Sequence, residues 1–246
     1  MNRTAWSIAI GVGLLTVSAG LYGLQIAVFH RPEDTGFYLL QDLAFLPVQI
    51  LLVTLIVNRV MARREKQVVL DKMNMVIGAF YAEVGTELLK RLFVFDANAG
   101  AIGAGMLIQE DWTSRRFDDA IRLSRSHTAK IEVSPEYLDD LRRFLLSRRN
   151  FLLRLLENPN LLEHDTFTDS LWAVFHLSDE LAHRADLAAL PPTDLQHLAG
   201  DISRAYTCIL VEWLAYMANL KRNYPYLFSL ALRTNPFDLA ACVEVR

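Results

Sequence analysis

Two long apolar segments, at 6–29 and 37–57, fill most of the first sixty residues, and only residues 30–36 separate them. Each exceeds the roughly 20 residues that a helix needs to cross a hydrocarbon core about 30 Å thick. Lipid offers no hydrogen bonds to the backbone, so such segments cross as helices. Both are also longer than the 7–15-residue core of a cleaved signal peptide. We therefore predict an all-α membrane protein that starts with a transmembrane hairpin, residues 1–60.

The charges around the hairpin indicate its orientation. The loop between the segments carries one basic residue, Arg31, beside Glu33 and Asp34. The basic residues that follow the second segment are Arg59, Arg63, Arg64 and Lys66. Lysine and arginine accumulate on the cytoplasmic side of membrane proteins. We expect a plasma or inner membrane of bacterial type, with both termini in the cytoplasm.

The first segment would present two faces of small or polar residues on opposite sides of one helix. The first face is a seam of small residues that suits close helix packing in lipid: Ala9, Gly13, Thr16, Gly20, Gly23 and Ala27. The second face is small and polar, with one bulky member: Ser7, Gly11, Leu14, Ser18 and Gln25. It either packs against a neighbouring subunit or lines a pore, in which Leu14 would be the constriction.

Polar residues inside the second segment, Asp42 and Gln49, share one helix face. An ionisable group at that depth is rare and marks a candidate functional site. Gln25 of the first segment should lie at a depth similar to that of Asp42. Two interpretations stay open: a hydrogen bond between Gln25 and Asp42, or a ring of Asp42 carboxylates that attracts cations at a pore mouth.

Residues 61–246 show the 3.6-residue apolar spacing of helices rather than the alternation of strands. Their first helix should continue directly from the second span. Its apolar residues are Val69, Met73, Val76, Ile77, Phe80, Val84, Leu88 and Leu92. A glycine- and alanine-rich stretch at 97–105 predicts a flexible turn. We predict a cytoplasmic, all-helical bundle.

Potential metal ligands occur on the predicted helix at 166–184. His176, Glu180 and His183 follow helical spacing, and Asp194 and His197 suggest a second half-site on the next helix. However, the apolar face of the helix at 166–184 is centred near Val174 and Leu177, and its three potential ligands would point roughly away from that face. Carboxylate–histidine sites in helical bundles project inward. We therefore expect a solvated surface, with no metal and no cofactor.

Arg122 and His127 have the Arg–x4–His spacing that resembles the signature of HEPN ribonucleases, which are helical and dimeric. The resemblance covers these two residues alone, and we expect both at the surface near a helix end. Phosphate-binding, dinucleotide-binding and nucleophile-elbow motifs do not occur in the sequence. We predict no catalytic residues and no enzyme activity.

The expected function follows from the hairpin. With 25 basic against 28 acidic residues, the chain has no excess of positive charge that would favour nucleic acid. The two faces of the first span predict a homo-oligomer in a lipid bilayer. The first hypothesis is that this homo-oligomer is an ion channel lined by the first span, with cations as candidate permeants and a regulatory cytoplasmic domain. The alternative is a scaffold or sensor whose hairpin only localises and oligomerises a partner-binding domain.

Overall fold

The computed structural model describes residues 3–159, 161, 164–238 and 240–244, but not the side chains of residues 3–5, 7, 67, 70, 71, 101 and 104. The described chain is all-helical, as the apolar spacing predicts. It divides into two compact units, Met1–Glu65 and Lys66–Arg246. The helices are α1 (Arg3–Phe29), α2 (Pro32–Phe80), α3 (Thr86–Phe93), α4 (Ala99–Gly103), α5 (Ser114–Ser126), α6 (Pro135–Leu156), α7 (Asp165–Ala182), α8 (Pro192–Asn223) and α9 (Pro225–Arg233).

The first unit contains α1 and the first part of α2. Both helices are long and apolar enough to cross a membrane, by length and composition. They are joined by His30 and Arg31, and His30 adopts a positive φ of 56°. A left-handed residue at this position ends a helix by returning its N–H to an earlier carbonyl, here that of Ile26 at 2.9 Å. We predicted a loop of seven residues, 30–36. The connection is shorter, because α2 already begins at Pro32.

The second unit is built around α8, which contacts α3, α5, α7 and α9. Its buried stripe includes Ile202, Tyr206, Ile209, Trp213 and Met217. Opposite it, α7 buries Phe167, Leu171, Val174, Leu177 and Leu181. Helix α6 covers the far side of α7 through leucines of its own, among them Leu141, Leu145 and Leu152. Leucine stripes at helical spacing thus produce a continuous apolar core.

A π-helical turn, Tyr81–Gly85, separates α2 from α3. The hydroxyl of Tyr81 donates to the carbonyl of Ile209 in α8 at 2.8 Å. Burial raises the pKa of Tyr81 well above its usual value, so its hydroxyl stays a neutral donor. Such turns insert one residue into a helix and re-aim the side chains that follow.

The stretch at 97–105 is not a simple turn. It forms α4, followed by a 3-10 turn at Ala104–Met106. Ile102 and Met106 are buried in the core of the second unit. The prediction of a flexible turn is wrong here, because Ile102 and Met106 anchor a segment whose glycines disfavour a helix.

Candidate metal centre

Four potential metal ligands converge between α7 and α8: His176 and Glu180 on α7, and His197 and Asp201 on α8. Each pair is spaced by four residues, so each pair occupies one face of its helix. The two helices run antiparallel, because the end of α7 lies beside the start of α8. Glu180 is near His197, and His176 is near Asp201. Two one-turn pairs on adjacent antiparallel helices thus form one cluster.

The separations between ligand atoms suit a single ion. His176 Nε2 lies 3.8 Å from Glu180 Oε1 and 3.5 Å from Asp201 Oδ2. His197 Nε2 lies 3.6 Å from Glu180 Oε2 and 3.3 Å from Asp201 Oδ2. Metal–ligand bonds of 2.0–2.1 Å give a tetrahedron with edges of about 3.3–3.4 Å. These four contacts involve both oxygens of Glu180; they are near such edges and longer than the usual hydrogen bond of about 2.9 Å. With one ligand atom from each residue, all four atoms lie within 4.8 Å of one another.

Asp201 is the buried member of the cluster. Its side chain is only 4% exposed, whereas those of His176 and His197 are 45% and 54% exposed. Asp201 Oδ2 accepts no hydrogen bond from the described residues. A buried carboxylate oxygen without a donor is costly, and native structures rarely keep one without a reason. A cation held by Asp201 and the two imidazoles would supply the missing partner.

Glu180 is held in place by Arg184, just beyond the end of α7. Arg184 Nη1 donates to Glu180 Oε2 at 2.7 Å, and its Nε and Nη2 donate to the two oxygens of Asp194 at 2.7 and 2.6 Å. The hydrogen bonds from Arg184 lower the pKa values of both Glu180 and Asp194. Both are therefore ionised at neutral pH, which is the form of Glu180 that binds a cation.

The sequence identifies three of these four ligands but not their arrangement. His183 lies outside the cluster, with Nδ1 2.8 Å from the carbonyl of Asp179, and Asp194 binds Arg184 instead. The candidate ligands do lie away from the buried face of α7, as expected, but this does not separate His176 and Glu180 from α8, because α7 packs against both α6 and α8. A residue that points away from the centre of the apolar face can still lie at the edge of the α7–α8 interface.

Asp201 is the candidate ligand that the sequence analysis did not identify. Its signal was a second one-turn pair, His197-x3-Asp201, which mirrors His176-x3-Glu180 on the preceding helix. Two such pairs on helices joined by a short loop are brought together whenever the helices pack as an antiparallel hairpin.

The residues singled out in the hairpin lie on exposed surfaces of the first unit. Every residue from 36 to 66 is exposed, including Asp42 and Gln49. The seam residues Ala9, Gly13, Thr16, Gly20, Gly23 and Ala27 are exposed, as are Gly11, Leu14 and Ser18 of the second face, while Gln25 is half-buried. The side chain of Ser7 lies outside the described residues.

The first unit gives α1 no closely packed partner along its seam. A Cβ atom added at Gly13, Gly20 or Gly23 would meet nothing within 4 Å among the described residues. Asp42 accepts a hydrogen bond from Tyr22 at 3.1 Å, not from Gln25 as one interpretation predicted. The hydrogen bond between α1 and Asp42 of α2 thus comes from Tyr22, three positions before Gln25.

Arg122 and His127 do not share a surface site. Arg122 is exposed and pairs with Asp119 of its own helix. His127 is 11% exposed, and its Nε2 lies 2.6 Å from Oδ2 of the fully buried Asp96. Asp96 also accepts from the backbone N–H groups of Asn98 and Lys130. The expectation of a surface histidine is wrong, because His127 and Asp96 connect two loops of the second unit.

Comparison with known proteins places the chain in a family. Residues 69–233 match the model described as "Uncharacterized protein MJ1433, C-terminal helical domain", and residues 2–61 match "MJ1433, N-terminal helical domain". The chain belongs to the MJ1433 family. It is 41% identical over 238 residues to Uncharacterized protein MJ1433 of Methanocaldococcus jannaschii, covering 97% of this chain and 96% of that protein. All four cluster residues lie within the part that matches the family's C-terminal helical domain.

No solved structure matches the chain significantly. The two family domains flank the boundary at Glu65 and Lys66 that separates the compact units.

Proposed function

We propose that this member of the MJ1433 family is a membrane-anchored sensor whose C-terminal domain binds one divalent transition-metal ion between α7 and α8. One observation carries the proposal: the buried oxygen of Asp201, which has no hydrogen-bond donor among the described residues, lies beside two imidazoles and a second carboxylate. Imidazole nitrogen favours zinc and its transition-metal neighbours over magnesium and calcium, which prefer oxygen ligands. The half-exposed imidazoles leave the ion open to exchange with solvent, as sensing requires.

The membrane anchor is supported by the two apolar helices. Their exposed apolar surface needs a cover, which a bilayer supplies. The basic residues at 59–66 favour a cytoplasmic C-terminal domain. Under this proposal the protein stays in the membrane pellet after extraction with alkaline carbonate. Its release into the supernatant would contradict the anchor.

Metal binding is tested with the full-length protein in detergent, stripped with a chelator and dialysed against Zn²⁺. We expect about one zinc ion per chain by elemental analysis. His176→Ala and His197→Ala should each lose most of it. His183→Ala is the matched control, because His183 lies about one turn from Glu180, outside the cluster, and its Nδ1 lies beside the backbone carbonyl of Asp179. Absence of zinc in the wild type, or equal loss in the control, would contradict the site.

A homo-oligomeric ion channel is the second candidate function. It is favoured by the open space beside Gly11, Gly13, Gly20 and Gly23, which leaves both small faces of α1 free for neighbouring subunits. If α1 lines a pore, Leu14→Ser should raise ion leak in liposomes above that of the wild type, because a hydrophobic constriction would be removed. Leu15→Ser, on a neighbouring position, serves as the control. Ion-tight liposomes with both wild type and Leu14→Ser would exclude the channel.

A further inference from the structure

Arg184 occupies a distinctive position beside the candidate metal centre. It lies two residues past the end of α7, and its side chain is only 15% exposed. One guanidinium nitrogen binds Glu180, and two others bind both oxygens of Asp194 in the first turn of α8. The fork therefore connects the end of α7 to the start of α8 across the intervening loop.

The bond to Glu180 constrains a carboxylate that reaches both imidazoles. Oε1 of Glu180 faces His176, and Oε2 faces His197 while accepting from Arg184. A free glutamate would rotate about its terminal bonds and present this arrangement only part of the time. Partners that fix the orientation of metal ligands typically contribute 10–100-fold to metal affinity.

We propose that Arg184 is the positioning residue of this centre: by fixing the Glu180 carboxylate between the two imidazoles, it sets the affinity for a divalent transition-metal ion. This inference rests on the proposed function, because it assumes that the cluster binds metal. Arg184 itself makes no bond to the ion. As a cation it repels the metal, so the benefit that we propose comes from orienting Glu180.

Arg204 provides a matched comparison. It also lies beside a ligand carboxylate, with Nη1 3.7 Å from Asp201 Oδ1, but it is 64% exposed and makes no hydrogen bond there. Arginine-to-lysine changes at 184 and 204 keep the charge at both places. Only the change at 184 removes the planar fork that reaches Glu180 and Asp194 together.

The test measures Zn²⁺ affinity of the full-length protein by competition with a chromophoric chelator. Arg184→Lys should weaken binding tenfold or more, and Arg204→Lys should stay within about twofold. In a Glu180→Gln background Arg184→Lys should cause no further loss, because the residue acts through Glu180. Thermal melting of the metal-free variants separates this effect from misfolding. Arg184→Met, which removes the same hydrogen bonds, replaces Arg184→Lys if the lysine variant does not fold.

The outcomes are distinguishable. If the wild type binds zinc and Arg184→Lys binds it equally well, or loses affinity independently of Glu180, the positioning role is wrong while the metal centre stands. If the wild type binds no zinc, both proposals are wrong.

Discussion

At the residue scale, Asp201 is the buried member of a cluster of four titratable side chains. Without a cation, Oδ2 of its buried carboxylate is 3.3 and 3.5 Å from two imidazole nitrogens and accepts no hydrogen bond from the part of the chain that the structure describes. Such an arrangement lowers the stability of the metal-free protein whenever the imidazoles are neutral. Functional residues often carry a cost of this kind.

Replacing Asp201 by asparagine should therefore separate stability from binding. At about pH 8 with chelator present, Asp201→Asn should melt at or above the wild-type temperature, because a buried charge is removed. Zinc at 100 times its dissociation constant should stabilise the wild type by about 2.7 kcal/mol, and that gain should vanish in the variant. A variant that melts well below the metal-free wild type, or one that keeps the zinc-induced increase, would contradict the role of Asp201.

The sequence contains the pattern of three of the four candidate ligands, but we expected no metal from it. His176, Glu180 and His197 are recognisable from their residue types and spacing, but Asp201 resembles any acidic residue on a helix. Whether residues at the edge of an apolar face contact those of another helix depends on which neighbouring helices pack there. That packing is a tertiary property, which the apolar pattern of one helix does not contain.

At the element scale, the helices of the second unit are largely predictable. The expected helix at 166–184 corresponds to α7 at Asp165–Ala182, because its leucines repeat at helical spacing. The π-helical turn at Tyr81–Gly85 was not predictable, because the apolar pattern continues through it. It depends on tertiary contacts, including the hydrogen bond from Tyr81 to α8 and the stacking of Tyr81 on Tyr216.

Gly85 is a position in this π-helical turn where a larger residue would not fit. A Cβ atom there would lie 2.5 Å from the ring of Tyr81 and 2.7 Å from that of Phe80. Gly85→Ala should therefore lower the unfolding free energy by about 1–3 kcal/mol, through displacement of buried rings. Thermal melting of the full-length protein measures the change.

Gly200 in α8 is the matched control for Gly85. A Cβ atom there meets nothing within 4 Å among the described residues. Gly200→Ala should be neutral or stabilising by up to about 1 kcal/mol, because alanine is the better helix former. Equal melting temperatures for Gly85→Ala and Gly200→Ala would show that the tight packing of the π-helical turn is not required.

At the scale of the whole molecule, the chain combines two units that differ in where their apolar side chains lie. The first exposes apolar helices, and the second buries a continuous core that includes Phe80, Leu88, Phe167 and Trp213. The sequence predicted this division near residue 60, because hydropathy changes sharply there. What covers the first unit was not predictable beyond a bilayer and other copies of the chain. Small residues suit both a subunit contact and a pore.

In the proposed site, side chains from both α7 and α8 bind one metal ion. X-ray absorption at the zinc edge of the zinc-loaded, full-length protein tests it most directly. We predict two imidazole nitrogens and carboxylate oxygens at about 2.0–2.1 Å, and the small amount of zinc that His197→Ala retains should show one imidazole fewer. A spectrum without imidazole, or one that His197→Ala leaves unchanged, would contradict the account.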